Sequence, residues 1–211
     1  MNDTNNSEIG YTLRASTEGF IVGCQVKQLS AAFGDLVKAR LTDGSVVYGL
    51  IYKIDIEDDP LVRRLVLLDN LDGAMIADQR QNRLVPIEMS VLTVGYGENG
   101  RASYGLSRRP PLSLDPVFAC DDRREVQTFT DNLGYLRLIT RADPAQVPID
   151  QLLITHLGKI YQARGNDQAW AAAAIQEVIE LLRHDYQTLI PILETLSRRL
   201  DPQITQINAD F

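Results

Sequence analysis

The order of apolar and polar positions changes character about halfway along the chain. From about residue 8 to residue 104, short apolar runs alternate with glycine turns. Gly19-Phe20-Ile21-Val22-Gly23 reads as a strand between glycines. From Asp35 to Thr42, Leu36, Lys38 and Arg40 fall on one side and Val37, Ala39 and Leu41 on the other, which is the period of a strand. Asp43-Gly44 follows, and Ser45 to Ile56 is rich in Val, Ile and Tyr. That order predicts a hairpin, because both turn residues tolerate positive φ. Leu65 to Leu68 reads as a short buried run closed by Asp72-Gly73. Leu84 to Val94 reads as a further strand with Pro86 near its start, and Asn99-Gly100 as another tight turn. Strands at this spacing predict a closed or nearly closed small barrel, which removes exposed sheet edges.

Arg108-Arg109-Pro110-Pro111 interrupts the pattern. Two successive prolines remove two backbone donors and fix φ, so neither a helix nor a central strand continues through them. Leu112 to Pro116 is expected to cross, extended, to the next unit. After Asp121 the apolar period becomes helical. A short helix is expected from Asp121 to about Asn132, and Tyr135 to Thr140 is read as one further strand. Ile149, Leu152, Leu153, His156, Leu157 and Ile160 then share one face. Gly165-Asn166 ends that helix, and Asp167 caps the next, whose stripe is Trp170, Ala173, Ala174, Val178, Leu181 and Leu182. A third stripe runs Leu189, Ile192, Leu193, Leu196 and Leu200, with a bend expected near Pro191. The expected fold class is segregated α+β. A small N-terminal β-barrel (8–108) is followed by an extended linker (109–120) and a mainly α-helical unit (121–205).

Composition narrows the function. Hydrophobic residues make up 45% of the 211 positions, enough for a sizeable core. The net charge of -7 argues against nucleic-acid binding through bulk charge. Cys24 and Cys120 match no metal or redox spacing and read as reduced, packed thiols. The polar start lacks the basic and apolar blocks of a secretion signal. No apolar stretch approaches the roughly 20 residues of a membrane span. A cytoplasmic location without membrane association is therefore expected.

Candidate chemistry is thin. Gly95-Tyr96-Gly97-Glu98-Asn99-Gly100 fits G-x-G-x-x-G, but no helix start follows it, so it reads as a hairpin tip rather than a dinucleotide loop. No phosphate-binding loop of the G-x-x-x-x-G-K-[ST] form occurs. Asp55, Glu57, Asp58 and Asp59 offer oxygens for a hard cation, yet a solvated loop accounts for them more simply. His156 and His184 belong to no metal pattern, and His156 on an apolar stripe reads as structural. No cofactor, metal or catalytic residue is assigned, and the chain is read as a non-enzyme. The candidate interaction surface is Tyr48, Tyr52, Arg63, Arg64, Arg80 and Arg83.

One resemblance sharpens this reading. Gly19-Phe20-Ile21-Val22-Gly23, Gly34-Asp35-Leu36-Val37-Lys38-Ala39 and Asp43-Gly44-Ser45-Val46-Val47-Tyr48-Gly49-Leu50-Ile51 resemble the HAS-barrel, the N-terminal module of HerA-type DNA-translocating ATPases. Arg109-Pro110-Pro111 through Pro116-Val117 resembles the exit from that barrel. The similarity covers at most the first 120 residues or so, and the ATPase domain is missing: the chain after Leu152 has no phosphate cradle. The resemblance implies an assembly role without ATPase activity. A HerA-like hexameric translocase or another copy of the chain is the implied partner. The alternative is a nucleic-acid- or ribosome-associated small barrel, and a third reading is a hydrolase or metal enzyme built on His156 or the 55–59 loop.

Overall fold

A computed structural model describes residues 7–25, 29–68, 70, 72–81, 85–98 and 100–200. Seven strands precede the helical half: β1 (Glu8–Ala15), β2 (Gly19–Cys24), β3 (Leu36–Arg40), β4 (Val46–Ile56), β5 (Ile87–Glu98), β6 (Arg101–Ser103) and β7 (Pro116–Ala119). Six of them close into an antiparallel barrel in the circular order β1-β2-β5-β4-β3-β7, while β6 extends β5 as a hairpin outside the ring. Closure comes from β2, which pairs with β1 on one side and with β5 on the other, from Gly19↔Leu92 to Cys24↔Ile87.

The alternation along β3 turns the expected way. Val37 and Ala39 join Ile9, Phe20, Val22, Ile51, Met89 and Val91 inside the barrel. Leu36 and Lys38 face outward, yet both are buried, because helices cover that wall. At the β3–β4 turn, Gly44 adopts φ +83. Asp43 accepts bonds there from the Ser45 N–H (2.9 Å) and hydroxyl (2.5 Å), which lower its carboxyl pKa. Gly49 lets β4 and β5 approach closely: a Cβ there would lie 2.3 Å from Val91 Cγ1 and 2.8 Å from the Leu92 carbonyl oxygen.

Three readings change. The segment taken as a linker ends in β7, which lies between β1 and β3 and completes the ring. Four residues beginning with proline carry too little period to be read as a strand. Tyr135 to Thr140 is helical: a single 3-10 turn (Leu133–Tyr135) leads into α4 (Leu136–Thr140). Leu136 and Ile139 bury at helical spacing, three residues apart, which a strand would place on opposite faces. Leu65 to Leu68 is neither strand nor buried run. It spans the end of α1 (Pro60–Val66), with Val66, Leu67 and Leu68 exposed. Since β4 pairs directly with β5 as far as Ile56↔Ile87, the chain between them has no place in the sheet.

The helical half follows its stripes. Asp122 caps α3 (Arg123–Thr130) through a 2.8 Å bond from the Glu125 N–H. Asp167 caps α6 (Gln168–Leu182) through the Trp170 N–H at 3.1 Å. Gly165 and Asn166, at φ +76 and +61, end α5 (Ile149–Ala163). The last helix, α7 (Tyr186–Leu200), contains Pro191 and packs on both α5 and α6. Barrel residues Leu36, Leu50 and Val94 share one apolar core with Val126, Phe129, Leu153, Leu157 and Trp170. The helices therefore cover one wall of the barrel.

Candidate interaction surface

Two buried polar links tie the helices to the barrel and show which side chains are already in use. Lys38 on β3 ion-pairs with Glu125 of α3. The Tyr48 hydroxyl donates to the same carboxylate at 3.2 Å, and the Tyr48 ring lies 4.6 Å from that of Phe129. Burial and the Glu125 charge push the Tyr48 phenol pKa up. In the second link His156, fully buried on α5, bridges two partners. Its Nδ1–H donates to the Gly34 carbonyl (3.1 Å), an acceptor only, so Nε2 accepts from the Tyr135 hydroxyl (3.0 Å). Burial lowers the His156 pKa to about 4. Its neutral ring is a structural bridge with both nitrogens bonded. Within the helical half, Arg164 at the end of α5 ties that helix to α3, donating to the Gln127 carbonyl, the Thr130 hydroxyl and the Asp131 carboxylate.

Five of the six surface candidates fall on described elements. Tyr48 and Tyr52 both lie on β4 and are half-buried. Tyr48 is held beneath α3, whereas Tyr52 lines a cleft of about 700 Å³ between the β1–β2 hairpin and α4. Arg63 and Arg64 are exposed on α1, where Arg63 pairs with Asp58. Arg80 belongs to α2 (Gly73–Gln81), and Arg83 lies outside the described residues. Tyr48 is thus part of the barrel–helix seam rather than a solvated aromatic. Of the acidic group, Asp55 pairs with Lys53 (2.9 Å), Asp58 with Arg63, and Asp59 is buried. Among the described residues no three His, Cys, Asp or Glu side chains converge on a metal-sized site, and Cys24 and Cys120 are free thiols whose pKa values burial raises.

Sequence reading missed the most conspicuous surface. The end of β4 and the excursion that follows it carry Ile56 (62% exposed), Val66 (69%), Leu67 (81%), Leu68 (50%) and Met75 (43%). Neither α1 nor α2 packs extensively on any other described element. Five large exposed apolar side chains within 20 residues of chain are a feature of interaction surfaces. Pro60 suits the first helical position, and Arg63 and Arg64 suit the last turn, where carbonyl groups accumulate negative charge. Leu65 to Leu68 was visible as an apolar run, but a run of four does not reveal whether anything covers it.

No protein-family model matches the chain, and no curated protein matches it. These comparisons lend no support to a HerA-type relationship, and no residue role transfers from a relative. The closed six-stranded barrel itself is plain. Among the described residues no helix is long and apolar enough to cross a membrane.

Proposed function

We propose that the chain is a non-catalytic binding protein that docks a protein partner on the excursion between β4 and β5. The observation that carries this reading is the exposure of Ile56, Val66, Leu67, Leu68 and Met75 beside a well-packed body. The titratable groups at the seam are committed to structure: His156 bonds at both nitrogens, and Lys38, Tyr48 and Glu125 bond one another. The barrel and helices then serve as a rigid base that presents the apolar arm. The barrel resemblance points to a HerA-like hexameric ATPase as the partner, with a second copy of the chain as the other candidate.

Light scattering across a concentration series tests self-association, and co-purification with a HerA-type ATPase tests the other candidate. Leu67→Glu with Leu68→Glu should abolish either interaction without unfolding the body. Failure of both interactions in the wild-type chain removes the proposal. Salt-sensitive binding of single- or double-stranded oligonucleotides, unaffected by the two substitutions, would favour the nucleic-acid alternative instead.

A further inference from the structure

The loop from Tyr104 to Asp115 carries a second exposed apolar feature. Leu112 (63% exposed) and Leu114 (74%) project from its last turn. Hydrogen bonds hold that turn in place. The carboxylate of buried Asp115 accepts from the Leu112 N–H (2.8 Å), and the Asp115 N–H donates to the Leu112 carbonyl (3.0 Å). The Ser113 hydroxyl donates to the Leu13 carbonyl (3.0 Å), and the Leu114 N–H to the Thr12 carbonyl (2.8 Å). Leu114 sits at φ +72, a conformation that suits glycine and strains leucine. A leucine that is both strained and exposed adds little to the packing of its own chain, and such outliers concentrate at binding surfaces.

Topology and charge relate this turn to the docking arm. Neighbouring strands of the barrel are antiparallel. The arm leaves after β4 and returns at β5, at the end where Ile56 pairs with Ile87. The turn at 112–115 runs into Pro116, the first residue of β7, so it lies at the other end with the β1–β2 and β3–β4 turns. From Asp55 to Gln81 the chain carries seven acidic and three basic residues. The loop has the opposite balance: Arg108 and Arg109 are exposed, and its one acid, Asp115, is buried in the turn. Asp43 on the β3–β4 turn is within electrostatic reach of Arg109 and offsets part of that charge. An acidic apolar surface at one end thus has a basic apolar counterpart at the other, the complementarity that steers and orients association.

We infer that the occupant of the arm is a second copy of the chain, whose Leu112–Leu114 turn packs against Val66, Leu67 and Leu68 while its Arg108 and Arg109 face the arm's carboxylates. The inference rests on the docking role proposed for the arm and adds its partner and the surface that partner uses. Because the two surfaces differ, the contact is heterologous and copies join head to tail. Sedimentation velocity on the full chain tests it with two variants, alone and mixed. The arm variant is Leu67→Glu with Leu68→Glu; the turn variant is Leu112→Ser with Leu114→Gly. Wild type should associate as concentration rises, and each variant alone should stay monomeric. An equal mixture retains one intact arm and one intact turn, so it should form a one-to-one dimer and nothing larger. That dimer also shows that both variants are folded. A turn variant that associates like wild type overturns the inference but leaves the arm's docking role standing. A mixture that stays monomeric, or a wild-type chain monomeric up to about 0.1 mM, also overturns it. The arm's docking role then stands or falls on capture of the HerA-type ATPase.

Discussion

Replacing His156 by glutamine should change not only how stable the protein is but how its stability depends on pH. In the folded chain the ring is fully buried between the Gly34 carbonyl and the Tyr135 hydroxyl, and its pKa falls from 6.5 to about 4. Burial is the main cause. Lys159 acts in the same direction, while the Gly34 bond and the Asp35 carboxylate oppose it. The unfolded chain therefore binds the proton more tightly than the folded one. The stability contributed by the neutral ring is complete above pH 6.5 and is lost as the pH falls towards 4. The full shift corresponds to about 3 kcal/mol. Linkage places about 1 kcal/mol of the loss above pH 5.5 and most of the remainder by pH 4.5. His156→Gln has no proton to gain there. It should be less stable than wild type at pH 8 by about 1–3 kcal/mol, for an imperfectly bonded buried amide. That gap should then close as the pH falls. The assay is urea unfolding followed by the emission of the single tryptophan, Trp170, which is buried and donates from its indole N–H to the Thr130 carbonyl at 2.8 Å. A gap that stays constant from pH 8 to pH 4.5 would refute the reasoning, since the folded ring would then take up its proton as readily as the unfolded one.

Three further predictions follow from the packing. Lys38→Met removes the Lys38 ammonium from the Glu125 carboxylate beside Tyr48 and should cost about 3 kcal/mol in urea unfolding; adding Glu125→Gln should recover much of it, as expected for a buried pair removed together. Gly49→Ala drives a methyl group into Val91 and the Leu92 carbonyl oxygen and should cost about 1–3 kcal/mol by overpacking, read as a lower urea midpoint. Leu114 sits at φ +72 with 74% of its surface exposed, so Leu114→Gly should raise stability by about 0.5–1 kcal/mol through relief of left-handed strain, detected as a small rise in melting temperature.

The architecture was legible in the sequence where local rules and tertiary packing agree. The Asp43-Gly44 turn, the alternation of Val37 and Ala39 against Leu36 and Lys38, and the stripes of α5 and α7 reappear where they were expected, while in α6 Ala173 is exposed and Ala171 and Ile175 are buried in its place. Information was lost where a segment's state depends on distant chain. The role of β7 comes from its neighbours β1 and β3, and a single strand carries no mark of them. The residues from Tyr135 to Thr140 are helical because Leu136 and Ile139 bury together in the core beneath the helices, a demand made by distant chain. Lys38 and Tyr48 look like surface residues until α3 lies across them. The cleft beside Tyr52 arises from packing α4 beside the β1–β2 hairpin, a juxtaposition absent from local pattern. Leu67 and Leu68 show the converse: an apolar run suggests burial, but pairing of β4 directly with β5 leaves it outside.

The docking role of that excursion is tested most directly by placing a photo-crosslinking amino acid at Leu67 in the native host, with Gln176 on α6 as the exposed control. Irradiation should attach a specific protein at position 67, either a HerA-like ATPase subunit or a second copy of the chain, and nothing comparable at position 176. The same adducts at both positions, or none at position 67, would contradict the assignment of the arm as a docking surface.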